Sequence, residues 1–162
     1  QKAVLFLNEI NPEIFEQLKQ NTQTDSRVQC FLADGYEQSI KQLQQLGKIK
    51  QNYILLDPPY IEEQDFNLVL QTTDRLLQLD SKAVIAIWYP ILNKESFSAF
   101  YKTLINYEKL NTVKFELRLP EEQMSSKTKM RGCGMLVFNM PTRAENEINS
   151  ALEEFEKIVV SE

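Results

Sequence analysis

Short apolar runs alternate with segments of helical period along most of this chain, and that alternation limits the fold more than any other feature. Ala3 to Leu7 reads as a strand ending at Asn8 and Glu9. Asn11, Pro12 and Glu13 then supply an N-cap, a proline at the first helical position and a first-turn acid. The helix that follows carries Ile14, Phe15 and Leu18 on one face. Arg27 to Ala33 reads as a second strand, followed by Asp34-Gly35 and a helix with Ile40 and Leu43 inward. Asn52 to Leu56 is a third strand, and Phe66, Val69, Leu70, Thr73 and Leu77 space a helix from about Gln64 to Leu79. Ala83 to Trp88 is a fourth, closed by Tyr89-Pro90, before a helix over roughly Lys94 to Tyr107. Thr112 to Leu119 and Gly134 to Asn139 read as strands joined by a polar loop without a helix, which implies an antiparallel pair. A last helix begins at Thr142, with Glu145 completing a capping box. This order predicts an α/β fold with a doubly wound, mostly parallel sheet and an antiparallel strand near its edge.

Composition narrows the class. The 162 residues suffice for a single domain over 1–162 with its own core, and 43% hydrophobic with 25% charged residues is ordinary for globular chains. No apolar run approaches the roughly 20 residues that span a bilayer, so no membrane partner is expected. Gln1 and Lys2 lead directly into AVLFL, without the apolar region and cleavage site of a signal peptide. Cys30 and Cys133 fit neither a disulfide framework nor a zinc site and read as reduced thiols, which favours the cytoplasm. The absence of histidine excludes His-dependent triads and His-ligated metals within these residues, and no metal is expected. A net charge of −5 is unusual for a nucleic-acid binder. The one loose basic cluster, Lys114, Arg118, Lys127, Lys129 and Arg131, reads as a solvated loop.

Open parallel sheets hold ligands beyond the carboxyl ends of their strands. The residues there are Glu9, then Asp34-Gly35, then Asp57-Pro58-Pro59-Tyr60, then Trp88-Tyr89-Pro90. An acid at one strand end accepts hydrogen bonds from both hydroxyls of a ribose; Glu9 suits that role. An acid after the next strand accepts from an exocyclic adenine amine while a neighbouring backbone N–H donates to the ring nitrogen, which suits Asp34 with Gly35. Taken singly, each acid is also an ordinary helix cap.

The DPPY stretch, residues 57–60, is more specific. The lone pair of an exocyclic amine on a nucleobase is delocalised into the ring. A carboxylate and a backbone carbonyl that accept its two N–H bonds draw the nitrogen toward tetrahedral geometry and free the pair for attack. Asp57 and the C=O of Pro58 have this chemistry. Pro58 and Pro59 lack an N–H and have a fixed φ, which stiffens the loop. Tyr60 is expected to stack on an extruded base, with Pro59 beside it.

These residues bring a family into view. The chain resembles the class I S-adenosyl-L-methionine (SAM)-dependent methyltransferases, of Rossmann-like fold, that act on adenine N6. More narrowly it resembles the RlmJ family, which methylates one adenosine of large-subunit (23S) ribosomal RNA. The match rests on LNEINP (7–12), DSRV (25–28), LADGYEQ (32–38), LLDPPY (55–60), IWYP (87–90) and GMLVFN (134–139). The resemblance implies SAM as cofactor, bound by Glu9, Asp34, Gly35 and Asp57. It implies Asp57, Pro58 and Tyr60 as the catalytic group, and Pro59, Tyr60, Trp88 and Tyr89 as substrate-binding residues, although Trp88 and Tyr89 suit the rim of the core equally well. The implied partner is large-subunit rRNA, protein-free or in an early assembly intermediate.

The sequence also departs from the family pattern. Its glycines, Gly35, Gly47, Gly132 and Gly134, form no Gly-rich turn after a first strand. The expectation is therefore the C-terminal portion of a methyltransferase domain, without its first strand, its N-terminal cofactor turn or the substrate region before them. Such a segment, with unpaired sheet edges, is expected alone to be unstable or aggregation-prone, to bind SAM weakly or not at all, and to be inactive. The alternatives are a DNA adenine-N6 or cytosine-N4 methyltransferase, since DPPY activates either amine, and a non-catalytic protein of the same fold linked to use of external DNA. A nicotinamide-dependent enzyme lies further off, because no G-x-G-x-x-G occurs.

Overall fold

The computed structural model describes residues 3–46, 51–92, 100, 102–103, 112–118 and 130–160. The chain divides into two compact units, Gln1–Lys48 and Ile49–Glu162.

In the first unit, β1 (Leu5–Glu9) and β2 (Val28–Leu32) pair in parallel, from Leu5 opposite Val28 to Glu9 opposite Leu32. Parallel neighbours need a crossover, supplied by α1 (Pro12–Thr22). Asn11 starts that helix: its side-chain oxygen accepts the N–H groups of Glu13 and Ile14 at 2.9 and 3.2 Å, with Pro12 in the first turn. Asp25 shapes the return into β2, accepting the Arg27 N–H at 3.0 Å and pairing with its guanidinium at 2.6 Å. That pairing lowers the Asp25 carboxyl from 3.8 to about 2. The second helix, α2 (Gly35–Leu46), buries Ile40 and Leu43 as its period predicts. It also buries Gln42, whose amide pairs reciprocally with Asn8 of β1 at 3.0 and 3.4 Å. A buried amide is tolerated because both ends of this pair are satisfied.

The second unit holds β3 (Tyr53–Leu56), α3 (Glu63–Leu79), β4 (Val84–Leu92), β5 (Thr112–Arg118), β6 (Met130–Phe138) and α4 (Thr142–Val160). Its sheet has the order β3-β4-β6-β5. β3 and β4 are parallel, and β6 runs antiparallel to both β4 and β5, one place in from the edge. The antiparallel pair expected from the sequence is therefore present, with β6 inserted beside β4. On one face Val84, Phe115 and Val137 pack with Ala86, Val113, Met135 and the α4 residues Ile148 and Leu152. Alternating with them on β4, Ile85, Ile87 and Tyr89 are fully buried, and the Tyr89 ring meets Phe100, which in turn meets Phe66 of α3.

Three boundaries differ from the sequence reading. Tyr89-Pro90 does not close β4, which continues to Leu92 and pairs Pro90 with Cys133. β3 stops at Leu56 opposite Ile87, so from Trp88 onward β4 is an edge on that side, where a proline is tolerated. β6 begins at Met130 rather than Gly134, with a bulge opposite Ile91 and Leu92. Thr142 is the first residue of α4 rather than its cap, because the Glu145 N–H bonds the Pro141 carbonyl at 3.1 Å. The helix expected over 94–107 lies largely outside the described residues.

Candidate active site

The first unit brings two acids to adjacent strand ends. Glu9 is the last residue of β1, and its carbonyl accepts the Ala33 N–H at 3.0 Å, which ties the exit of β2 to the exit of β1. Its carboxylate Oε1 accepts the Asn11 N–H at 2.7 Å, so one oxygen orients the side chain while the other stays available. Asp34 follows β2 and caps α2, with Oδ1 accepting the Glu37 N–H at 3.0 Å. The cap and the second oxygen are compatible, since a carboxylate has several acceptor positions. Gly35 opens the helix; a β-carbon there would meet only Asn8 Cβ, at an ordinary 3.9 Å. Packing does not require the glycine, and its bare backbone leaves the N-terminus of α2 open to a close approach.

The second unit presents the DPPY stretch at the exit of β3. Asp57 is exposed, and no described residue bonds its carboxylate. Pro58 is half-buried and Pro59 exposed. Tyr60 is largely buried among the described residues. Its backbone lies in the left-handed region at φ 49, a conformation that costs an aromatic residue about 1–3 kcal/mol. Its side chain is 8% exposed, and its ring packs on Phe66 at 4.7 Å, Trp88 at 6.1 Å and Phe100 at 6.3 Å. The hydroxyl donates to the Trp88 carbonyl at 2.5 Å.

The two aromatics of β4 also part company. Trp88 remains partly exposed, as a pocket-lining residue must. Tyr89 does not: it is fully buried, lies against Gly134 across the β4–β6 pair, and donates to Glu116 Oε1 at 3.0 Å. It belongs to the interior of the sheet rather than to a substrate pocket. Glu116 is a residue the sequence reading passed over. Its carboxylate is also held by Arg118 at 3.0 Å and Lys114 at 3.7 Å, and the period-two spacing of Lys114, Glu116 and Arg118 was the available signal. Two members of the basic cluster are thus engaged with an acid, while Lys127 and Lys129 lie outside the described residues. Among the described residues no group of His, Cys, Asp or Glu is arranged to hold a metal ion, and no helix is long and apolar enough to cross a membrane.

The family model for ribosomal RNA large subunit methyltransferase D, RlmJ, matches residues 1–162. The chain belongs to this RlmJ family. It is 28% identical over 149 residues to the ribosomal RNA large subunit methyltransferase J of Escherichia coli (strain K12), covering 91% of this chain and 51% of that protein. The chain spans about half the length of the curated relatives it matches. Among solved structures, a Legionella pneumophila protein, LPL1258, superposes with a TM-score of 0.79 at 22% identity, covering 96% of this chain and 56% of its own. The METTL16 methyltransferase domain superposes at 0.55 with 14% identity, covering 85% and 51%. These likenesses show the class I methyltransferase fold, α/β and Rossmann-like, and RlmJ membership is consistent with the sheet order described above.

Proposed function

We propose that this chain takes part in methyl transfer from SAM to the exocyclic N6 amine of an adenosine in large-subunit (23S) ribosomal RNA. The observation that carries the reading is Asp57: an exposed carboxylate, followed by two prolines, at the exit of a parallel strand in an RlmJ-family chain. Asp57 accepts one N–H of the target amine and the Pro58 carbonyl the other, which localises the nitrogen lone pair for direct displacement at a methyl carbon. Pro58 and Pro59 limit the motion of both acceptors. Asp57 is also the group that takes up the proton the amine must lose.

The acids of the first unit fit SAM by their chemistry. The unused oxygen of Glu9 suits a ribose diol, and Asp34 with the backbone N–H of Gly35 suits the edge of an adenine. SAM supplies an electrophilic methyl group on a sulfonium; these residues hold and orient it. The resemblance assigns Asp57 to the cofactor as well as to the amine. Trp88, still partly exposed, and Pro59 are the substrate-side residues; Tyr89 has no part in substrate contact. The RNA is protein-free or an early assembly intermediate, and the reaction takes place in the cytoplasm, where the free thiols of Cys30 and Cys133 persist.

The test is methyl transfer by the purified protein, expressed with whatever residues its gene places beside these 162, to deproteinised large-subunit rRNA and to duplex DNA, followed by nucleoside analysis. The reading expects N6-methyladenosine from the RNA. Product from DNA alone, or N4-methylcytosine, would replace it with the DNA alternative.

A further inference from the structure

The entrance of β6 carries an arrangement that the proposed chemistry leaves unused. Across the β4–β6 pair Gly132 stands opposite Ile91 and Met130 opposite Leu92, so Arg131 is the extra residue of the bulge and faces no residue of β4. The β5 register ends at Arg118 opposite Gly132, so Arg131 has no partner on that strand either. The bulge depends on Gly132, whose φ is 153 and where a β-carbon would overlap the Leu117 carbonyl oxygen. Bulges at a sheet rim re-aim a side chain. Here the displayed side chain is an exposed arginine, and no described residue bonds its guanidinium. Its neighbours in the basic cluster, Lys114 and Arg118, are instead engaged with Glu116.

Topology sets where that charge stands. β6 runs antiparallel to β4, so it begins at the end of the sheet where β3 delivers Asp57. Leu56 lies opposite Ile87, and the bulge lies opposite Ile91 and Leu92, which is about 15 Å farther along β4. β6 is two strands away from β3, a lateral offset of about 10 Å. At that separation an arginine does not reach the amine held by Asp57, but it does meet the backbone of a nucleotide nearby. Its planar fork of donors matches a phosphate in two-point contact. We propose that Arg131 contacts a backbone phosphate of the RNA beside the target adenosine, and that the β6 bulge presents it there. This rests on the proposed methyl transfer to RNA, and it gives a chain of net charge −5 a cation on the side of the sheet where the substrate enters.

The decisive variant is Arg131→Gln in the purified protein with the residues its gene places beside these 162. Filter binding to deproteinised large-subunit rRNA is followed across a salt series. Loss of one phosphate contact predicts affinity weaker by about fivefold at low salt and a plot of log affinity against log salt shallower by about 0.7–0.9. The RNA KM should rise in step, with kcat at saturating RNA within about twofold of wild type. Arg131→Lys keeps the charge and should keep the slope. Lys82→Gln removes the same charge from an exposed position ahead of β4, at the opposite end of the sheet, and should leave affinity and slope unchanged. An unaltered slope in Arg131→Gln, or an equal loss in Lys82→Gln, would overturn the inference. If the wild-type protein binds the RNA but methylates no adenosine, the functional reading fails and the slope still decides the contact. If it binds no RNA, both fall.

Discussion

Replacing Gly134 by alanine sets two physical effects against each other. Gly134 sits inside β6, opposite Tyr89 on one side and Glu116 on the other. A glycine in a strand interior is unfavourable by roughly 0.5–1 kcal/mol, so propensity alone predicts that alanine stabilises. The structure predicts the reverse. A β-carbon at 134 would overlap Cζ, Cε2 and the hydroxyl of Tyr89, whose ring is fully buried and bonded to Glu116. Forcing that ring aside costs about 1–3 kcal/mol of overpacking. Losing its bond to a charged carboxylate adds about 1.5–3 kcal/mol. After the entropic gain of alanine in the unfolded chain, the net loss is about 2–5 kcal/mol, a large share of a typical stability of about 5–15 kcal/mol. With a urea m-value of about 2 kcal/mol/M, the midpoint should fall by about 1–2.5 M. The cause is then isolated by repeating the substitution in the Tyr89→Leu background, which removes the ring atoms that the new methyl group would overlap. There Gly134→Ala should cost less than about 1 kcal/mol, so the pair is strongly coupled. A gain in stability from Gly134→Ala, or additive effects within about 0.5 kcal/mol, would refute the packing argument.

Two further outcomes are expected. Glu9→Gln should weaken SAM binding about tenfold by calorimetry without a change in melting temperature: Oε1 already serves the Asn11 N–H, so the amide nitrogen would face the ligand in place of an acceptor, and no change in affinity would remove Glu9 from the cofactor site. The Asp25 carboxyl titrates at about 2 rather than 3.8, beside Arg27, so its contribution is present above about pH 4 and lost as the pH falls toward 2. The stability difference between wild type and Asp25→Asn should therefore vanish over that interval, as followed by melting temperature, and a constant difference would show that the pair does not act in folding.

Much of this fold was legible because its signals are local. The Asn11-Pro12-Glu13 start of α1 and the inward Ile40 and Leu43 of α2 follow from capping chemistry and helical period, and the structure reproduces them. What failed to show in the sequence was set by neighbours distant along the chain. Pro90 reads as a stop, yet it lies in β4 because β3 has already ended beside it. Gly132 reads as loop and Gly134 as the start of a strand, yet both lie inside β6. The first has φ 153 and Leu117 O where a β-carbon would stand; the second lies beneath the Tyr89 ring. The same holds for the candidate site. The acids at the strand ends were visible from position alone, and their roles as Asn11 acceptor and α2 cap accompany the proposed ones. An aromatic residue after a strand can face outward or inward with equal sequence support, so the inward Tyr60 and Tyr89 needed the partners Trp88 O and Glu116 to be seen.

Asp57 carries the central claim, and its substitution tests it most directly. Wild-type protein and Asp57→Ala are compared for methyl transfer to large-subunit rRNA at saturating SAM, with cofactor affinity measured on both by calorimetry. Asp57 is exposed and no described residue bonds its carboxylate, so the variant should fold as the wild type does. The account predicts a loss of at least about a hundredfold in kcat with SAM affinity within about tenfold of wild type. Full activity in Asp57→Ala would contradict it.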